Sequence, residues 1–99
     1  MRTQPSKMAD SRSEARLKVF RLGRGQANGL EFKVHLLDVS ARGARLYAGH
    51  AFSTGLRMTL ACSTVTASGE VRWVDASRFG IRFDVPLVPS ELDAIVEAG

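Results

Sequence analysis

The chain has 99 residues, of which 44% are hydrophobic and 24% are charged, and this composition is typical of one globular domain. No apolar run approaches the ~18 residues that cross a membrane, and the polar N-terminus lacks an apolar segment of the secretory type. Cys62 is the single cysteine, which excludes an internal disulfide and a metal site of paired cysteines. We therefore expect a cytoplasmic protein without membrane insertion.

The net charge of +4 is unevenly distributed along the chain. Residues 1–25 contain seven cations and two anions, a net charge of +5, whereas residues 26–99 contain seven cations and eight anions, a net charge of −1. The basic N-terminal quarter indicates an anionic partner for this segment. A solvated tail without a partner is the alternative that charge alone leaves open.

The pattern of apolar residues predicts a chain of short strands. Residues 1–11 are polar and contain Pro5, so we expect a flexible N-terminal arm there. Apolar or alternating runs bounded by turn residues then predict strands over 17–22, 30–37, 43–47, 55–62, 69–76 and 79–85. GRGQANG (23–29) predicts the turn between the first two strands. Because no helix-length segment separates these runs, they favour an antiparallel barrel or sandwich over a parallel sheet.

The hydrophobic period changes near the C-terminus, where PSELDAIVEAG (89–99) predicts a short helix. The apolar side chains at helical spacing are Leu92, Ile95 and Val96. We expect this face to pack on the barrel, because so short a helix is marginal alone. Ser90 is the expected cap, and Asp93, three residues later, completes the pattern of a capping box.

Three further side chains are assigned to the core by strand alternation. In GEVRWVDA (69–76), Val71 and Trp73 are two positions apart, so a regular strand places both on the buried face. Stacking of Trp73 on a ligand is the alternative. Cys62 lies on the apolar face of its predicted strand and is interpreted as a small buried hydrophobic residue.

DVSARG (38–43) places an acid, a hydroxyl and a glycine close together between two predicted strands. A turn explains these residues on their own, because Asp and Ser hydrogen-bond nearby backbone N–H groups and glycine tolerates positive φ. Upstream, RSEAR (12–16) has Arg12 and Arg16 four residues apart, so both guanidinium groups can act on one target. Arginine suits phosphate oxygens and the O6/N7 edge of guanine, which together with the acid and the hydroxyl predicts a guanine nucleotide site.

RSEAR followed by DVSARG resembles the RxxxR and (D/N)xSxxG motif pair of PilZ domains, with 21 residues between Arg16 and Asp38. The segments GARL, GLRMTL, GEVRWV and FGIRF resemble the later strands of that family, so the resemblance covers about residues 11–87. It implies an all-β fold, a six-stranded antiparallel β-barrel with a short C-terminal α-helix, in a single domain over residues 12–99 that follows the arm.

The resemblance also implies binding of cyclic di-GMP, a bacterial second messenger. The ligand-binding residues that it implies are Arg12, Arg16, Asp38, Ser40 and Gly43. The two arginines would clamp the ligand from the arm, Asp38 and Ser40 would hydrogen-bond it from the barrel surface, and Gly43 would let the backbone approach it. No catalytic residue, metal or cofactor is expected.

The first hypothesis is therefore a non-enzymatic cyclic di-GMP receptor that acts as a stand-alone adaptor for a downstream protein partner. The alternative is a PilZ-like protein-interaction module with a vestigial nucleotide site. Binding of nucleic acid through the basic arm is the third hypothesis, and it requires exposed aromatic side chains for base stacking. Nucleic acid is not an expected partner, because the few aromatic residues mostly fall on apolar strand faces.

Overall fold

The computed structural model describes residues 16–50 and 52–97, and the predicted arm over residues 1–11 lies outside this part of the chain. The described chain forms a closed barrel of six antiparallel strands and one C-terminal helix. The elements are β1 (Leu17–Ala27), β2 (Leu30–Val39), β3 (Gly43–Tyr47), β4 (Arg57–Cys62), β5 (Val65–Asp75), β6 (Arg78–Phe83) and α1 (Pro89–Glu97). Around the barrel the order is β1-β2-β3-β6-β5-β4. The predicted fold class is confirmed.

Two hairpins are longer than the sequence predicted. The segment GRGQA continues β1 to Ala27 instead of forming a turn, and only Asn28 and Gly29 reverse the chain. Both residues have the positive φ, 54° and 78°, that a two-residue hairpin of this type requires. Similarly, β5 begins at Val65 and not at residue 69. The glycines of these segments stand within strands, so a high glycine content alone did not mark the turns.

The core lies inside the barrel and is built from the inward side chains of every strand. Its fully buried members include Val34, Leu36, Leu46, Val71 and Phe79. Cys62 is buried among them, as predicted, and this burial raises the pKa of its thiol. The thiol is therefore held in its neutral form.

Within the described residues, the strand register shifts at three β-bulges. They lie between Lys18 and Arg21 on β1, between Leu36 and Asp38 on β2, and between Val71 and Trp73 on β5. A bulge adds one residue to one strand of a pair, so the side chains beyond it point to the face opposite to the one that regular alternation predicts. These three points determine which side chains reach the outer surface of the barrel.

The helix α1 packs on the barrel through Ile95, which is 1% exposed. Arg21 of β1 reaches its last turn, where Nε donates to the carbonyl oxygen of Ile95 (3.2 Å) and Nη2 to that of Val96 (2.7 Å). These bonds satisfy carbonyl groups that have no partner within the helix, and they place a cation at the negative end of the helix dipole. No helix in the described part of the chain is long and apolar enough to cross a membrane.

The capping box predicted at Ser90 and Asp93 was wrong, because the helix cap lies two residues earlier in the chain. The helix begins at Pro89, and the backbone N–H of Val88 donates to Oε1 of Glu91 (2.9 Å). Proline suits the first helical position because it has no N–H to satisfy, and Glu91 then occupies the third helical position, from which a capping-box side chain reaches back.

We expect Ile95→Ala to lower the free energy of unfolding by about 2–4 kcal/mol, because truncation leaves a cavity between α1 and the barrel. Asp93→Ala is the control, since Asp93 lies on the exposed face of the same helix and its loss should stay within about 0.5 kcal/mol. Urea denaturation measures both. Equal, small losses for the two variants would contradict docking of the helix through Ile95.

Candidate functional site

Asp38 is a buried carboxylate that belongs to the outer face of the barrel. In the pairing of β2 with β3, Leu36 lies opposite Leu46 and Asp38 lies opposite Arg45. Because of the bulge between these two pairs, the side chain of Asp38 lies on the outer face of the strand, whereas that of Leu36 points into the core. A regular strand would have directed both side chains to the same face, because alternate residues of a strand share a face.

Two arginines occupy the two oxygens of the Asp38 carboxylate. Arg16 Nη1 lies 3.1 Å from Oδ1, and Nε and Nη2 of Arg45 each lie 2.6 Å from Oδ2. The side chain of Asp38 is 2% exposed, whereas those of Arg16 and Arg45 are 53% and 43% exposed. A buried carboxylate is unfavourable unless it is paired, so both guanidinium groups are held in place by it. The hydrogen bond and the charge of Asp38 also raise the pKa of Arg45, which stays charged.

The turn between β2 and β3 is closed by Ser40. Its backbone N–H donates to the carbonyl oxygen of Gly43 (2.8 Å), and its buried hydroxyl lies 3.3 Å from the same oxygen. The turn is also bonded to the end of β6, because the N–H of Phe83 donates to the carbonyl oxygen of Arg42 (2.8 Å). Local bonding therefore fixes the backbone from which the Arg42 side chain projects.

Gly43 allows β3 and β6 to approach closely at this turn. A Cβ at position 43 would lie 2.3 Å from the carbonyl oxygen of Ile81, a backbone atom that cannot move aside easily. Gly43 pairs with Arg82 across the two strands. The absence of a side chain thus brings β6, with Arg82, against the Ser40 turn.

A cleft with a volume of about 580 Å³ opens beside this arrangement. Ser40 and Gly43 line it, and the described residues that line it include no acid. Its cationic and aromatic lining is Arg16, Arg42, Arg72, Arg82 and Trp73. Neither Arg72 nor Arg82 forms an ion pair with a carboxylate within residues 16–50 and 52–97. Guanidinium groups of this kind are suited to phosphate oxygens and to the edges of planar bases.

Trp73 stands on the cleft and not in the core, so its predicted burial was wrong. The bulge on β5 separates it from Val71, which is fully buried. Beyond the bulge, Trp73 lies opposite Gly80, and a Cβ on Gly80 would lie 2.1 Å from the indole Nε1. The indole therefore packs against the backbone of Gly80, leaving its ring partly exposed on the outer surface.

The structure brings together four of the five residues that the sequence nominated. Arg16 binds Asp38, while Ser40 and Gly43 form the adjacent turn; Arg12 lies outside the described residues. Sequence reasoning missed the cleft residues Arg42, Arg72 and Arg82, and it assigned Trp73 to the core. These residues belong to the turn between β2 and β3 and to the β5–β6 hairpin, which meet only because β3 pairs with β6. No local spacing in the sequence marks this arrangement.

The fold and the cleft together define a small β-barrel domain with a cationic surface site. The family model of the PilZ domain matches residues 10–98, and the chain belongs to this family. The resemblance of the two motifs is thereby confirmed. PilZ domains are a family of cyclic di-GMP receptor domains. A comparison of the chain with curated proteins gave no match.

We expect Gly43→Ala to lower the free energy of unfolding by about 1–3 kcal/mol, because the added methyl group forces β3 away from β6. Gly49→Ala is the matched control, since a Cβ there has no atom within 4 Å, and we expect a change within about 0.5 kcal/mol. Urea denaturation compares the two. Equal stability of both variants would contradict the close approach at Gly43.

Proposed function

We propose that this chain is a non-enzymatic receptor that binds cyclic di-GMP in the arginine-lined cleft. The observation that carries the proposal is the ion pair of Arg16 and Asp38. It joins the two sequence motifs at the edge of a cleft lined by further arginines. The membership of the PilZ domain family supports the same ligand.

The size and charge of the cleft favour a dianionic nucleotide. Its volume of about 580 Å³ is that of a typical small-molecule site. The phosphates would be bound by Arg42, Arg72 and Arg82, because charge-assisted hydrogen bonds to guanidinium groups are each worth about 1.5–3 kcal/mol. A neutral ligand would leave Arg72 and Arg82 without a carboxylate or phosphate partner in the described part of the chain, so this lining favours an anion over an apolar molecule.

A guanine ring would find two complementary surfaces in the cleft. The partly exposed indole of Trp73 offers a flat face for stacking, and it is fixed in orientation because it packs against Gly80. A guanidinium fork, such as that of Arg16, can donate to the O6/N7 edge of guanine. Stacking and edge recognition together would select a purine over a free phosphate.

In this proposal Asp38 is a positioning residue. Both of its oxygens are engaged by arginines and its side chain is 2% exposed. It would therefore act by holding Arg16 at the cleft, and a direct bond to guanine would require one arginine to move away. Ser40 and Gly43 would shape the turn that lines the cleft. The expected contribution of Arg12 remains a prediction from the sequence.

The proposal includes an adaptor role in bacterial signalling. Cyclic di-GMP would change the surface that the chain presents to a downstream protein in the cytoplasm. Chemistry on the ligand is not part of the proposal, because the lining that residues 16–50 and 52–97 provide has cations and an aromatic ring but no acid for proton transfer.

We expect calorimetric titration with cyclic di-GMP to give binding that Arg16→Ala and Asp38→Ala each weaken at least about tenfold, roughly 1.4 kcal/mol. The first change removes a ligand contact, and the second releases the arginine that Asp38 holds. Arg24→Ala is the control, because Arg24 is an exposed arginine of β1 that pairs with Glu31 outside the cleft.

The outcomes separate the two hypotheses. Wild-type protein that produces neither heat nor a shift in melting temperature at high ligand concentration would favour the interaction module with a vestigial site. Equal weakening by Arg24→Ala would show that overall charge, and not the cleft, drives binding.

We also expect cyclic di-GMP to quench the tryptophan fluorescence, because Trp73 is the only tryptophan in the chain and would stack on guanine. Trp73→Ala should weaken binding by about 1–3 kcal/mol, the range for stacking of one base, whereas Trp73→Phe should retain most of the affinity. Unchanged fluorescence at saturation, established by calorimetry, would contradict the stacking.

A further inference from the structure

A second exposed surface lies on the outer face of β1, β2 and β3. It consists of Phe20, Leu22, His35, Leu37 and Tyr47, which are here called the aromatic patch. Phe20 is 75% exposed, Leu22 58% and Tyr47 46%. The patch and the cleft share no lining residue.

The patch is a continuous surface because its members are neighbours across the sheet. Leu22 lies opposite His35, and His35 lies opposite Tyr47. The ring centroid of His35 is 6.1 Å from that of Phe20 and 6.3 Å from that of Tyr47. A depression of about 340 Å³ lies between Phe20, Leu37 and Tyr47, and it is large enough to receive one apolar side chain.

Phe20 is unfavourable for folding in two ways. Its ring is largely exposed to water, and its φ of 54° is in the left-handed region that a bulky side chain rarely adopts. Asparagine or glycine would suit this position of the β1 bulge better. Apart from its ring contact with His35, Phe20 therefore contributes little to the stability of the barrel, and most of its ring is available for an intermolecular contact.

The charges around the patch indicate the chemistry of the contact. Lys33 and Arg78 are exposed on the same face, beside His35 and Tyr47 respectively, and Lys18 is exposed two residues before Phe20. Asp75 of β5, which lies opposite Arg78, is an acid at the edge of the patch. An apolar centre with a mostly cationic rim complements an apolar anchor surrounded by carboxylates.

A second copy of the chain fits this surface poorly. In a two-fold symmetric contact the same patch meets itself, so the mostly cationic rim of one copy, with Lys18, Lys33 and Arg78, would face the same rim of the other. Like charges brought together across an interface oppose association. The cationic rim therefore favours a different protein as the occupant.

We propose that the aromatic patch is a docking surface for an acidic protein segment that inserts an apolar side chain between Phe20 and Tyr47. This proposal specifies the chemistry of the downstream protein partner, and its relevance to signalling rests on the adaptor role proposed above. Docking itself involves other residues than the nucleotide cleft. The two proposals can therefore fail independently.

The probe is a library of random peptides displayed on phage and selected on the whole protein without nucleotide. We expect the selected peptides to carry Asp or Glu on both sides of an apolar residue. In fluorescence anisotropy with the synthesised peptides, Phe20→Asn and Arg78→Glu should each weaken binding at least about tenfold. Peptides with the acids replaced by lysine should not bind.

Phe20→Asn tests binding without unfolding the barrel, because asparagine tolerates the left-handed backbone. The melting temperature of this variant should equal or exceed that of the wild type. Val85→Ala is the control, since Val85 is 73% exposed outside the patch and its loss should leave peptide binding unchanged. Cyclic di-GMP titration of Phe20→Asn should give the wild-type affinity.

Three results would overturn the proposal. The first is a selection that yields no acidic–apolar peptides. The second is selected peptides that bind Phe20→Asn as tightly as the wild type. The third is concentration-dependent dimerisation that Phe20→Asn abolishes, measured by sedimentation, which would assign the patch to a second copy of the chain.

Discussion

The carboxylate of Asp38, buried between Arg16 and Arg45, is the interaction on which the site depends. A carboxylate removed from water is stable only with close partners, so the acid fixes both arginines. Through these two ion pairs, Asp38 of β2 connects the residue that precedes β1 to β3. Arg16 is thereby held at the rim of the cleft, while its long side chain remains half exposed and available to a ligand.

The β-bulges convert an ordinary barrel into one with specific outer surfaces. The bulge on β2 separates Asp38 from the core series, the one on β5 brings Trp73 over Gly80, and the one on β1 leaves Phe20 exposed at a positive φ. Bulges are common next to functional sites because they redirect single side chains without breaking the sheet. Here each of them adjoins the cleft or the aromatic patch.

Alternation and turn residues predicted an antiparallel barrel or sandwich, because these signals act locally, and the family resemblance selected the six-stranded barrel. The two motifs assigned Arg16 and Asp38 to one site, but they did not predict the ion pair between the two side chains. The side chains of Arg72 and Arg82 were missed, and Trp73 was misplaced, because their hairpin reaches the Ser40 turn only through the pairing of β3 with β6, two strands that are distant in sequence. Alternation assigned Trp73 to the core because a bulge leaves no mark in the hydrophobic pattern. The predicted helix cap was similarly displaced, because the sequence does not state at which residue the helix begins.

The most direct measurement of the central claim is an NMR titration of the whole chain with cyclic di-GMP, in which the Nε–H signals of the arginines and the indole N–H signal are followed. The account predicts that Arg16, Arg72, Arg82 and Trp73 shift together with one ligand dependence while Arg24 stays unchanged. Saturable binding that leaves these cleft signals in place, with shifts elsewhere on the barrel, would contradict it.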